Sequence, residues 1–255
     1  PPRTMDNVLK VSLGYFYVHM GLSIVISALK SRSMDPSIVI TRYRTWIGVD
    51  STLRTIICLL GSVGGFIVTF ATDFSLSEPD GLVYATVFAA FLPSCIIETV
   101  TAFRKRKSSE TLEALRVFLL VMGFLEECVV FHIYGSDKGP IEQWLNRVLV
   151  FIILLCVGAC ALDLSGQYTY MTRFWLGTMV TLQGFWILMQ ALILGMSILQ
   201  SLGLRNHPSS WMALIAGWTV VGSVFVVCAV TLLVNRSMKV QENSARRQQL
   251  LSEYA

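Results

Sequence analysis

The chain has 255 residues, 54% of them hydrophobic and 14% charged, with a formal net charge of +4 and a mean hydropathy of +0.63. A composition this apolar excludes a soluble globular domain of this length. The positive charge does not indicate a nucleic-acid partner, because the basic residues gather at the borders of apolar segments, where they meet anionic head groups.

Seven apolar runs follow one another, at 8–29, 51–72, 82–103, 112–133, 143–164, 171–200 and 210–234. Each is close to the ~20 residues that cross a hydrocarbon core as a helix. The first run is of full spanning length, so no short cleavable signal is expected; the start at Pro1 rather than Met points to further residues upstream. His19, alone in the middle of this run, is expected to be a packing residue. The connection from Ser31 to Asp50 mixes Ile38, Val39, Ile40 and Trp46 with Arg42 and Arg44, which fits either an interfacial segment or an ordinary loop.

The second run carries Gly61 and Gly65, a GxxxG pair suited to close helix packing. The loop after it, from Asp73 to Gly81, holds three acids and no base. In the third run Glu98 lies near the far end, followed by Arg104, Lys105, Arg106 and Lys107. That basic cluster is expected to contact head groups and anchor the topology. Glu98 and Asp163 are expected to find basic neighbours, notably Arg104 and Arg173. The seventh run contains a weaker small-residue pair, Ala213 and Gly217.

The basic residues orient the bundle. With alternate loops assigned to alternate sides, fifteen of the 20 lysines and arginines fall on the side that holds the C-terminus. The positive-inside bias therefore predicts an all-α, polytopic membrane protein: a seven-transmembrane-helix bundle with its N-terminus outside and its C-terminus cytoplasmic. Residues 1–236 form the bundle and 237–255 a polar cytoplasmic tail. The Asn235-Arg236-Ser237 sequon then lies on the cytoplasmic edge, where no glycan is expected. All six cysteines lie within apolar runs, so no extracellular disulfide is expected. Cys156 and Cys160, one helical turn apart, are expected to pack rather than to bind metal.

Polar residues at membrane depth are costly, at about 2.5–3.5 kcal/mol for a charge on insertion scales. Glu126, Glu127 and His132 lie in the fourth run, and Gln143, Asn146 and Arg147 return to a similar depth in the fifth. A clamp of Glu126 and Glu127 with Arg147, completed by His132 and Asn146, would neutralise both charges; a ligand or ion site is the alternative. Gln183, Trp186 and Gln190, spaced i, i+3 and i+7, give the sixth helix one polar and aromatic face. It serves either as inter-helix glue or as the lining of a cavity.

Several of these residues carry a resemblance. Asp50-Ser51-Thr52-Leu53-Arg54-Thr55, Leu125-Glu126, Pro140-Ile141-Glu142-Gln143 and Leu182-Gln183-Gly184-Phe185-Trp186 together resemble the transmembrane protein 45 family, a seven-span family of unknown function, over roughly 10–240. That resemblance implies histidine pairs at the outer end of helix four and the start of helix five, and a histidine in helix seven. Such a set could ligate zinc with a carboxylate. Here the corresponding positions are Ile133 and Gly135, then Gln143-Trp144-Leu145-Asn146, then Trp218-Thr219. The family's metal set is dismantled, and neither metal nor cofactor is expected.

Other seven-helix classes fit poorly. The receptor motifs and outer disulfide are missing, the seventh run has no lysine for a retinal Schiff base, and Pro93 is the one proline within a run, against the broken helices of many transporters. Three functions remain. The first is a non-enzymatic accessory or scaffolding subunit of a larger assembly, with membrane lipids and other membrane subunits as partners in the plasma membrane or a secretory-pathway membrane. The second is a lipid or sterol binder whose pocket is lined by Gln183, Trp186 and Gln190. The third is a metal-dependent hydrolase using Glu126, Glu127 and His132.

Overall fold

The computed structural model describes residues 2–33, 52–64, 67, 80–103, 110–165, 169–195 and 208–253. Their regular secondary structure is all helix: α1 (Pro2–Ser33), α2 (Thr52–Gly64), α3 (Asp80–Phe103), α4 (Glu110–Ser136), α5 (Pro140–Leu164), α6 (Thr169–Gly195) and α7 (Pro208–Glu253). The 34–50 connection, the acidic 73–79 stretch, Gly65 and the Arg104–Lys107 cluster lie outside the described residues.

Among the described residues five helices are long and apolar enough to cross a membrane: Asn7–Leu29, Gly81–Thr101, Pro140–Leu164, Tyr170–Leu194 and Ala213–Val240. That is the mark of an integral membrane protein, since a helix satisfies its own backbone in lipid. Helix α4 is of similar length but carries Glu110, Glu113, Arg116, Glu126 and Glu127. The described part of α2 is an apolar helix shorter than a span, and most of the rest of the run expected at 51–72 lies outside the described residues.

Local chemistry sets the tightest connection. Pro140 opens α5, where its missing N–H is one the first turn leaves unbonded anyway. Gly139 precedes it in extended conformation (φ −62°, ψ 162°) and accepts from the Gln143 N–H at 2.9 Å. Helices α4 and α5 therefore form an antiparallel hairpin across Asp137–Gly139.

Helix α6 is the axis of the bundle, with 72% of its most apolar stretch buried. It packs on α1 along a seam of glycines. Gly14 lies against Gly184 and Gly21 against Gly177, so the two helices are antiparallel and seven residues separate successive contacts. A side chain at any of the four would collide with the opposite helix. Helices α2 and α3 are also antiparallel, joined by Arg54–Glu98, Thr55–Thr99 and the Cys58–Cys95 thiols, 3.8 Å apart. Gly61 accommodates the Phe88 ring in the same interface. Between these pairs an aromatic cluster of Phe16, Tyr17, Phe88, Phe91 and Phe124 fills the core.

Helix α7 is different. Only 17% of its apolar stretch is buried, along the narrow line Thr219, Ser223 and Val227. Gly217 faces open space, so the Ala213/Gly217 pair makes no close packing here. The helix continues unbroken past the 236/237 division, and its 46 residues at about 1.5 Å each give roughly 70 Å, more than twice a ~30 Å hydrocarbon core.

Candidate functional site

Two polar sites emerge, one inside the bundle and one at its end. The first begins with Glu127, which is fully buried on α4. Gln183 on α6 donates from Nε2 to both of its carboxylate oxygens, at 2.8 Å each. The amide oxygen of Gln183 in turn accepts from the Cys156 thiol of α5 at 3.5 Å. The Tyr17 hydroxyl of α1 lies beside the same carboxylate, with no partner in hydrogen-bonding geometry among the described residues. One turn along α6, Trp186 Nε1 and Gln190 Nε2 both donate to the Leu145 carbonyl oxygen of α5, at 3.0 Å each.

The N–H donors of Gln183, Trp186 and Gln190 are therefore directed at the neighbouring helices α4 and α5. All three side chains are buried. Cys156 and Cys160 are also buried, free thiols.

The expected clamp is divided. Adjacent residues on a helix point about 100° apart, so Glu126 and Glu127 cannot serve one partner. Glu127 turns inward to Gln183. Glu126 is exposed, within the apolar outer stripe of α4 formed by Leu115, Phe118, Met122, Leu125, Val129 and Ile133. Neither glutamate pairs with Arg147 among the described residues. His132, Asn146 and Arg147 do meet, lining a groove of about 90 Å³ beside the α4–α5 turn. There Gly135 lets α4 approach the Asn146 side chain.

At the opposite end of the bundle lies a charged cavity of about 230 Å³. Six helices contribute to it. Arg54 Nη2 bonds Glu98 Oε1 at 2.7 Å. Arg116 grips Glu113 through Nε and Nη2, at 3.2 and 2.8 Å. Arg173 reaches from Asp163 (3.3 Å) to Glu113 (3.3 Å) and so ties α4, α5 and α6 together. Ser23 and Ser27 of α1 complete the wall. The side chains of Arg54 and Asp163 are only 5% and 4% exposed, whereas Glu113 is open enough to mark the mouth.

The Asp163–Arg173 pairing agrees with the sequence expectation. Glu98 takes Arg54 as its partner, and Arg104 lies outside the described residues. Residue spacing alone does not predict that these pairs gather in one cavity; the signal for it is that each of the six charges sits near a helix end, and with antiparallel neighbours those ends coincide.

Residues 113–203 match a family model described as a family of unknown function (DUF716). The match runs from Glu113 to beyond Gln190, taking in Arg116, Glu127, Asp163, Arg173 and Gln183; Arg54 and Glu98 lie outside it. No curated protein matches the chain.

Proposed function

We propose that this chain is a seven-span, non-enzymatic membrane protein, a divergent relative of the transmembrane protein 45 family, acting as an accessory or scaffolding subunit of a larger membrane assembly. Its N-terminus faces outward and its C-terminus the cytoplasm, with the arginines of the charged cavity on the basic, inner side.

The observation that carries the accessory role is Glu126. It is an exposed carboxylate without an ion-pair or hydrogen-bond partner among the described residues, set within an apolar outer stripe of α4. A carboxylate facing hydrocarbon is unfavourable by about 2.5–3.5 kcal/mol on insertion scales. A partner helix presenting a basic or hydrogen-bonding side chain removes that cost, and the flat stripe around Glu126 offers it an apolar surface to pack on. Helix α7, little buried and projecting beyond the membrane, gives such an assembly a second handle.

The competing readings have less support. A lipid pocket on the Gln183, Trp186 and Gln190 face requires polar atoms that are already bonded to Glu127 and Leu145. A hydrolase built on Glu126, Glu127 and His132 requires convergence, and these three point to the outer surface, the core and the end groove.

Site-specific photocrosslinking tests the proposal. A photoreactive residue at Phe118 or Val129, beside Glu126, should yield one discrete protein adduct. The same probe at Phe151, exposed on α5, should yield lipid adducts. Lipid adducts alone from the α4 positions would defeat the accessory role.

A further inference from the structure

The charged cavity has a composition that helix packing alone does not explain. Three guanidinium groups and three carboxylates from five helices face one space: Arg54, Glu98, Glu113, Arg116, Asp163 and Arg173. Ion pairs that served only as bolts would lie across closed helix contacts; these surround a void of about 230 Å³. Two charges also oppose their own helix dipoles: Arg54 sits in the first described turn of α2, where a helix end favours anions, and Asp163 in the last turn of α5, where it favours cations.

We infer that this cavity binds a phosphate–ammonium zwitterion, the chemistry of an ethanolamine-type phospholipid head group or of free phosphoethanolamine. Among the described residues the six charges sum to zero, so they offer both kinds of contact to a ligand carrying both signs. Arg116 spends Nε and Nη2 on Glu113, and Arg173 spends Nε on Asp163 and Nη2 on Glu113. Among the described residues the Nη1 groups of both remain for phosphate oxygens, the contact for which a guanidinium is suited. On the other side Glu98 uses Oε1 for Arg54, which leaves Oε2 to accept from an ammonium, with Asp163 close by in the same wall.

Size and depth agree. The volume far exceeds the ~10–15 Å³ that holds one water and falls below the ~300–1,000 Å³ of a drug-sized pocket, so it suits a head group and not a whole lipid. The lining charges lie within about two turns of their helix ends, the depth at which head groups meet a bundle. This site is independent of whether α4 has a protein partner.

The test uses the purified full chain, with thermal unfolding and direct binding as readouts. Phosphoethanolamine should bind and raise the melting temperature, while inorganic phosphate and ethanolamine supplied separately bind about ten-fold or more weakly, the loss of one charge-assisted contact. Arg173→Gln and Asp163→Asn should each weaken binding by a similar factor, and Lys239→Gln on α7 should leave it unchanged. Nanodiscs distinguish the sources. Protection by phosphatidylethanolamine but not phosphatidylglycerol, without an effect of the free compound, assigns the lipid; protection by the free compound assigns the soluble molecule. Because the competition series uses unaltered protein, it stands even if a variant fails to fold. Phosphate alone binding as tightly as phosphoethanolamine, or no binding by either source, overturns the inference.

Discussion

Gly21 on α1 and Gly177 on α6 meet backbone against backbone: a Cβ on Gly21 would lie 2.7 Å from the Gly177 carbonyl oxygen, and one on Gly177 2.8 Å from that of Gly21. No rotamer relieves a clash with backbone, so the helices themselves would have to part. Gly21→Leu or Gly177→Leu should therefore cost about 3 kcal/mol or more, the upper range for overpacking, seen as a lost or sharply lowered unfolding transition in detergent. Gly217→Leu, with open space around it, should stay within about 0.5 kcal/mol of the parent.

The Glu127–Gln183 pair should show strong coupling. Gln183→Leu leaves a buried carboxylate without its donor, at about 1–3 kcal/mol, and Glu127→Leu strands the amide in the same way. The double variant removes both polar groups and should recover part of the loss. A double-mutant cycle by thermal unfolding measures this; strictly additive losses would mean that the two side chains do not depend on each other.

At Leu145 the opposite behaviour is expected. Its carbonyl accepts from both Trp186 and Gln190, so either donor suffices to satisfy it. Gln190→Leu should cost only about 1 kcal/mol, the net worth of one hydrogen bond. Combining it with Trp186→Phe should cost more than the two separate losses together, because only then is the carbonyl bare.

Orientation can be read by labelling. A cysteine at Gly139, in the exposed α4–α5 turn, should react with an impermeant maleimide on intact cells. One at Lys105 should react only after permeabilisation. The reverse pattern would invert the bundle.

Much of this architecture was visible in the sequence. The apolar runs foretold the described helices, because a span needs length and hydropathy that few other segments possess. Which side of each helix faces inward was much less visible. On α4 the buried line of Val117, Leu120, Phe124, Glu127 and Phe131 and the exposed line of Leu115, Phe118, Met122, Val129 and Ile133 are equally apolar, since lipid is as apolar as the core. Hydrophobic periodicity therefore cannot tell which of Glu126 and Glu127 turns inward, nor that Glu127 meets Gln183 of α6. The α1–α6 seam escaped for another reason: its glycines are spaced by seven, and a search for GxxxG passes over them. The cavity required partners 44 and 60 residues apart in the chain, a distance that spacing rules do not reach.

The account's central claim is that Glu126 holds this chain to another membrane protein. Native mass spectrometry after gentle extraction from its own membrane tests it most directly, comparing the parent with Glu126→Gln. The parent should travel with a larger protein at fixed stoichiometry, and the variant should fold, by its unchanged unfolding temperature, yet appear alone at 28.4 kDa. A parent that is itself a lone 28.4 kDa species, or a variant that keeps its partner at full stoichiometry, would contradict the claim.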